Sequence, residues 1–82
     1  MILVMNIGNS NVVLGVYRRD ELATYWRMTS SMGRTSDELG MLTLDLFDRS
    51  GFDKGDVTDI VISSVVPNMM YSMEHMCRKY FG

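Results

Sequence analysis

Residues 5–14 read MNIGNSNVVL, a glycine-containing tight turn set between two runs of apolar, largely β-branched residues. Ile2 to Ile7 is apolar up to Asn6, and Val12 to Tyr17 resumes the pattern at once, so the stretch reads as a strand that doubles back as a second strand. Gly8-Asn9-Ser10-Asn11 is then a hairpin tip that exposes several backbone N–H groups and the Ser10 hydroxyl. A concave array of N–H donors is a natural seat for an anionic oxygen, as in phosphate-binding nests. The same residues also suit an ordinary hairpin, because Asn and Gly both tolerate positive φ. On the turn alone, both readings stand.

Working outward, the near-continuous apolar run of the first strand predicts a central strand covered on both faces. Arg18-Arg19-Asp20-Glu21 is a polar reversal. From Leu22 to Met28 the chain alternates, with Leu22, Thr24, Trp26 and Met28 on one face and Ala23, Tyr25 and Arg27 on the other. Three antiparallel strands therefore open the chain. Thr29 to Arg34, rich in Ser and Gly, is a loop. Thr35 or Ser36 can cap a helix whose first turn carries Asp37 and Glu38, where carboxylates favour the positive helix end. Leu39, Leu42, Thr43 and Leu46 form its apolar stripe with Phe47 at the flank, while Met41 and Leu44 fall off it and predict a second surface for another domain or subunit to bury. Gly51 is a stop.

Asp53 to Asp59 reads as polar linker, and Ile60 to Val66 (IVISSVV) as a fourth strand. Pro67 suits the first position of a second helix, with Met69, Met70, Met73, Met76, Cys77 and Tyr80 on one side and Glu74, His75, Arg78 and Lys79 away from it. The order is β-β-β-α-β-α, and the helix between strands three and four predicts that strand four runs parallel to an earlier strand through a right-handed crossover. A second helix with no strand after it predicts an incomplete fold, stopping partway through a larger one.

Composition narrows the function classes. An apolar content of 46%, 22% charged residues and a single proline make a globular chain rather than a disordered one. With 82 residues, such a chain buries only somewhat more than about 60% of its unfolded surface, so its core is marginal. Cys77 is the only cysteine, which rules out an intrachain disulfide and suits a reducing, cytoplasmic setting. Cys77 and His75, the only histidine, cannot make a metal site without other ligands. A net charge of −2 without a basic cluster argues against nucleic acid as a partner. The start MILVMNIG lacks a basic flank and reads as a strand rather than a targeting segment, and no stretch approaches the roughly 20 apolar residues of a membrane span. The nine methionines read as soft core filling.

Other residues carry weaker signals. Arg34, before the first helix, is either a solvated loop cation or a group reaching a phosphate or a partner subunit. Ser63 and Ser64 end a buried strand, where carboxyl ends face ligands, or else satisfy neighbouring backbone. His75 on a polar helix face reads as solvated rather than as a base. Trp26 reads as packing under the three-stranded sheet.

MILVMNIGNSNVVLGVY, RTSDELG at Arg34 to Gly40, DIVISSVVP at Asp59 to Pro67 and the ending CRKYFG together resemble the N-terminal part of type III pantothenate kinase, in order and over the whole chain. That family belongs to the acetate and sugar kinase, Hsp70 and actin superfamily. The resemblance implies an α/β, ribonuclease H-like lobe of the actin/Hsp70 type, with residues 1–82 as its N-terminal part and ATP in a cleft between two lobes. It implies transfer of the γ-phosphoryl of ATP to the hydroxyl of pantothenate, opening coenzyme A synthesis, by a homodimer using a divalent metal (Mg) and a monovalent cation (K or NH4). The family's first phosphate motif, D-x-G-N-T, stands here as Asn6-Ile7-Gly8-Asn9-Ser10, and the ATP-phosphate segment corresponds to Asn6, Ile7, Gly8, Asn9, Ser10, Asn11, Val12 and Val13. Asn6 occupies the place of an aspartate that helps hold the metal, so an uncharged amide there predicts weaker metal binding and a slower rate. Ser10 for threonine keeps the hydroxyl. The family's general base, and most adenine- and pantothenate-binding residues, correspond to sequence beyond residue 82, so no catalytic residue is assigned within this chain. The alternative is a catalytically degenerate homologue that binds or regulates, with Asn6 marking the lost activity.

Overall fold

The computed structural model describes residues 1–30 and 33–82. Its elements are β1 (Ile2–Ile7), β2 (Asn11–Arg18), β3 (Glu21–Thr29), α1 (Ser36–Arg49), a 3-10 turn (Lys54–Asp56), β4 (Asp59–Ser64) and α2 (Pro67–Tyr80). Part of the expected Thr29–Arg34 loop, residues 31 and 32, lies outside the described residues, and Thr29 itself closes β3. The strands form one mixed sheet in the order β3-β2-β1-β4. β1 pairs antiparallel with β2 and parallel with β4, as the intervening helix predicts.

The register sorts side chains into cross-strand rows. Ile60, Leu3, Val16 and Thr24 make one row, Ile62, Met5, Leu14 and Trp26 a second, and Ser64, Ile7, Val12 and Met28 a third. These rows face both helices, and Leu3, Met5, Ile7, Val12, Leu14 and Val16 are fully buried against Leu39, Phe47, Met69, Met73, Met76 and Cys77. Four methionines, Met5, Met69, Met73 and Met76, lie in this core, as expected of adaptable filler.

The opposite face departs from expectation. β1 is central, but only one of its faces is covered: Ile2, Val4 and Asn6 lie on a face that no described element packs against, with Val61 54% and Tyr25 60% exposed. An apolar run alone does not distinguish a strand covered by this chain from one whose second face is left open. Leu22 also departs. A register shift between Val16 and Tyr17 pairs Thr24 with Val16 and Leu22 with Tyr17, so Ala23 is the extra residue of a bulge. One extra residue reverses the alternation, and Leu22 joins the open face instead of the face it was expected to share with Thr24, Trp26 and Met28.

α1 begins with a full capping box: Thr35 Oγ1 accepts from the Glu38 N–H at 3.1 Å, and Glu38 accepts from the Thr35 N–H at 2.9 Å. It ends in a Schellman arrangement. Gly51 takes φ +77°, its N–H donates to Asp48, and the Phe52 N–H donates to Phe47 at 2.9 Å. Phe52 then folds its ring onto Phe47, 6.3 Å between centroids. The buried stripe is Leu39, Gly40, Thr43 and Phe47; of the four residues expected on it, Leu42 is exposed and Leu46 half-buried. Phe47 moves from flank to centre because Trp26, Phe52 and Phe81 all close on it, within 5.5 to 6.3 Å. Trp26 reaches past this cluster to donate its indole N–H to Ser50.

At Gly40 the start of α1 packs closely against Tyr80 at the end of α2. A Cβ there would meet the Tyr80 ring at 2.5 Å. Replacing a helical glycine by alanine ordinarily stabilises by up to about 1 kcal/mol, whereas overpacking a tight contact costs about 1–3 kcal/mol. The contact wins. Gly40→Ala is expected to destabilise the protein in chemical denaturation, and the same change in a Tyr80→Ala background is expected to be neutral or stabilising.

Candidate functional site

The carboxyl ends of β1 and β4 and the β1–β2 bend meet at one end of the sheet. Among described residues outside glycine, only Arg19 has positive φ, so Asn9, Ser10 and Asn11 make the bend without any left-handed residue, and Gly8 is not left-handed either. The positive-φ argument for an ordinary hairpin therefore does not apply at this turn. Glycine suits the position for a different reason: a Cβ there would stand 3.2 Å from the Asn11 carbonyl oxygen, a tight contact that the turn would have to relax by a few tenths of an ångström.

The hydrogen bonds of the bend are unevenly distributed. The Gly8 N–H donates to the Asn11 carbonyl at 2.9 Å, so it is consumed within the turn. The reciprocal bond, Asn11 N–H to the Gly8 carbonyl, is not formed; that carbonyl accepts from Ser30 Oγ at 2.7 Å. Ser30 N–H donates to the Ser10 carbonyl at 3.0 Å, and Val65 N–H to the Ile7 carbonyl at 3.1 Å. Among the described residues, the Asn9, Ser10 and Asn11 N–H groups have no protein acceptor. Asn9, Ser10 and Asn11 are exposed. Among the described residues, the bend thus offers three N–H donors without a protein acceptor and one hydroxyl, with the Gly8 N–H dropping out of the expected set.

Of the remaining residues of the segment, Ile7 and Val12 are buried and pair with each other beneath the bend. Asn6 and Val13 face the open side. Asn6 sits in the row Ser63–Asn6–Val13–Arg27, with its amide exposed. Val4, Asn6, Val13, Gly15, Tyr17, Leu22 and Tyr25 line a shallow depression of about 170 Å³, whose floor is low because Gly15 contributes no side chain.

The donor set at Asn6 does not fit a metal site by itself. Its row supplies one neutral amide oxygen, one hydroxyl and one guanidinium, with no carboxylate. Among the described residues no three His, Cys, Asp or Glu side chains converge to hold an ion.

The other candidates separate. Ser64 points to the covered face and closes a local turn, accepting from the Val66 N–H and donating to the Val66 carbonyl, both at 2.9 Å. Ser63 lies on the open face directly beside Asn6. Arg34 reaches back to the Thr29 carbonyl and the Met28 sulfur rather than toward the bend. His75 Nδ1 lies 3.0 Å from Ser36 Oγ, on the exposed side of α2. Beside it Asp37 accepts from Lys79 Nζ at 2.7 Å and from Tyr80 Oη at 2.6 Å, which holds its carboxyl below the usual carboxylate range. This polar cluster ties the start of α1 to the end of α2, remote from the bend. Met41 is exposed, and Leu44 lines a hollow with Phe47 and Phe52.

Sequence reading passed over Ser30 as one residue of a polar loop. The one available signal was positional: a short side chain with a hydroxyl immediately after β3 comes level with the first bend once the three strands are paired in register.

The strand order and the succession of hairpin, helix, strand and helix define part of an actin/Hsp70-type α/β lobe. A family model described as type III pantothenate kinase matches residues 2–82. The type III pantothenate kinase of Halalkalibacterium halodurans is 52% identical over 81 residues, covering 99% of this chain and 32% of that protein. Those of Listeria welshimeri and Listeria monocytogenes are each 49% identical over 82 residues, again 32% of their length. The chain belongs to the type III pantothenate kinase family and spans about a third of the length of the curated relatives it matches. No helix among the described residues is long and apolar enough to cross a membrane.

Cys77 on α2 is buried against β1, with its sulfur 3.9 Å from that of Met5. Burial first, and then the charge of Glu74, pushes its thiol from 9.0 up to about 11. Because the folded value lies above the unfolded one, the protonated thiol contributes stability that is complete below pH 9 and is lost as pH rises toward about 11. Native protein at pH 8 is expected to resist iodoacetamide at Cys77, with labelling appearing only in denaturant; rapid labelling of the folded protein would contradict this.

Proposed function

We propose that these residues are the opening segment of an ATP-dependent pantothenate kinase, and that the Gly8–Asn11 bend receives the phosphates of ATP. The observation that carries the reading is the set of free Asn9, Ser10 and Asn11 N–H groups, with the Ser10 hydroxyl, at the carboxyl end of β1. Phosphoryl transfer asks for positioning and charge stabilisation more than for covalent chemistry from the protein. Pre-oriented N–H donors supply both without reorganising. The family membership and the identity to three pantothenate kinases support transfer of the γ-phosphoryl to the pantothenate hydroxyl.

Within this segment the bend binds and orients, and Ile7 and Val12, locked in the core, hold it rigid. Asn6 and Ser63 stand where the open face meets the bend and border the phosphate position. The proton-accepting base belongs to sequence beyond residue 82. The resemblance further supports a divalent metal such as Mg and a monovalent cation, K or NH4, bound with help from residues outside this segment. It also supports a homodimer, to which the exposed Met41 offers one apolar contact. The single buried thiol accords with a cytoplasmic setting.

Asn6 is the one residue that favours the second reading, a binding or regulatory homologue, because the resembled motif has a carboxylate there. Three measurements separate the readings. In the full-length polypeptide, Ser10→Ala is expected to raise KM for ATP by about ten- to hundredfold, since one hydrogen bond to a charged group contributes about 1.5–3 kcal/mol. Asn6→Asp is expected to lower the Mg concentration needed for half-maximal activity and to raise kcat by at least about tenfold; no change would remove Asn6 from the metal's neighbourhood. The 82 residues alone are expected to show no turnover with ATP and pantothenate, and measurable kinase activity would overturn the placing of the base elsewhere.

A further inference from the structure

Ser30 stands one residue past β3 and grips the bend from outside through two bonds. Its N–H donates to the Ser10 carbonyl at 3.0 Å, and its Oγ donates to the Gly8 carbonyl at 2.7 Å. A trans peptide unit is planar, so its C=O and N–H point in opposite directions. Fixing the Gly8 carbonyl therefore fixes the Asn9 N–H, and fixing the Ser10 carbonyl fixes the Asn11 N–H. Both carbonyls are drawn toward Ser30, and both N–H groups are turned away from it.

The hydroxyl does a second thing. In a hairpin with two residues at its tip, the Asn11 N–H ordinarily closes the turn on the Gly8 carbonyl. Here Ser30 Oγ takes that carbonyl and the Asn11 N–H remains free. Without the hydroxyl, the half-buried Gly8 carbonyl seeks another donor, and the nearest by chain geometry is the N–H that the bend otherwise presents.

We propose that Ser30 is a positioning residue: its hydroxyl sets the Gly8–Asn9 peptide so that the Asn9 and Asn11 N–H groups face the terminal phosphates of a nucleoside triphosphate. This rests on the phosphate-binding reading of the bend given above. Ser30 touches neither substrate. It acts through the direction of two amides, and the backbone bond to Ser10 keeps its side chain at the right place to do so.

The test uses the full-length polypeptide with Ser30→Ala, Ser30→Thr and Ser10→Ala, measuring KM for ATP, KM for pantothenate and the melting temperature. Ser30→Ala is expected to raise KM for ATP about five- to tenfold, the effect of one hydrogen bond, and to leave KM for pantothenate and the melting temperature near those of the parent. Ser30→Thr, which keeps the hydroxyl, is expected to restore ATP binding. If Ser30→Ala is silent while Ser10→Ala weakens ATP, the positioning role is overturned and the bend keeps its phosphate. If both are silent toward ATP, the reading of the bend fails and the proposal falls with it. Equal losses for both substrates with a lowered melting temperature, or no rescue by threonine, would make Ser30 a general structural residue and overturn the proposal.

Discussion

The register of β1 between its two neighbours is the constraint on which the rest depends. β1 pairs antiparallel with β2 and parallel with β4, Leu3, Met5 and Ile7 alternating with Ile2, Val4 and Asn6. Because strand side chains repeat every two residues, a slip of one position would put Asn6 into the core and Met5 into solvent. Burying Asn6 without a partner would cost about 1–3 kcal/mol, and exposing Met5 would forfeit a buried side chain of similar magnitude. That penalty is large against the marginal stability of a small core, so the apolar rows fix where the polar end of the strand lies. Placement of the bend, and the side of the sheet on which Asn6 and Ser63 stand, are consequences of core packing rather than separate features.

Much of this was legible along the chain. The two arms around Gly8–Asn11, the cap at Thr35 with Glu38, the stop at Gly51 and the Pro67 start of α2 are local signals whose physics lies within a few residues. The misread features are those that depend on distant partners. Leu22 changes face because of a bulge at Ala23, which leaves no mark on the alternation read from Leu22 to Met28. Phe47 moves from the flank into the buried α1 stripe, and Leu42 leaves it, because Trp26 and Phe81, 21 residues before Phe47 and 34 after it, converge on the Phe47 ring. The two-sided burial expected of β1 fails because apolar content says that a face is to be covered, not by what.

The candidate site divides along the same line. Its residues are candidates named from the motif alone; the division of labour among their hydrogen bonds was not readable there. Gly8 was expected to donate to a ligand and instead spends its N–H on the Asn11 carbonyl, while Asn9, Ser10 and Asn11 have no acceptor for theirs among the described residues. The deciding partner, Ser30, is 22 residues from Gly8 and is brought there only by the pairing of β3 with β2. A donor supplied from the third strand is what distinguishes this bend from a self-sufficient hairpin, since a hairpin that closes on itself has fewer amides left to offer.

Rigidity and polarity meet at Asn6. The residue before the bend is flanked by Ile7, fully buried, and pairs with Val13 and Ser63, so its backbone is fixed on both sides and only its amide is free to turn. A carboxylate in that place would stand on an open, largely apolar face, in a row whose one formal charge is Arg27, and would find cationic company there only from that guanidinium or from a bound ion. The amide needs neither. Its presence removes a negative charge from the end of the sheet and lowers the pull on a cation at the same stroke. The proposed anion seat does not depend on Asn6, because the Gly8 and Ser10 carbonyls of the bend are held by Ser30 and not by that side chain. On the proposed reading, phosphate capture rests on the backbone of the bend, whereas metal capture needs ligands beyond Asn6, since no three His, Cys, Asp or Glu side chains among the described residues converge there.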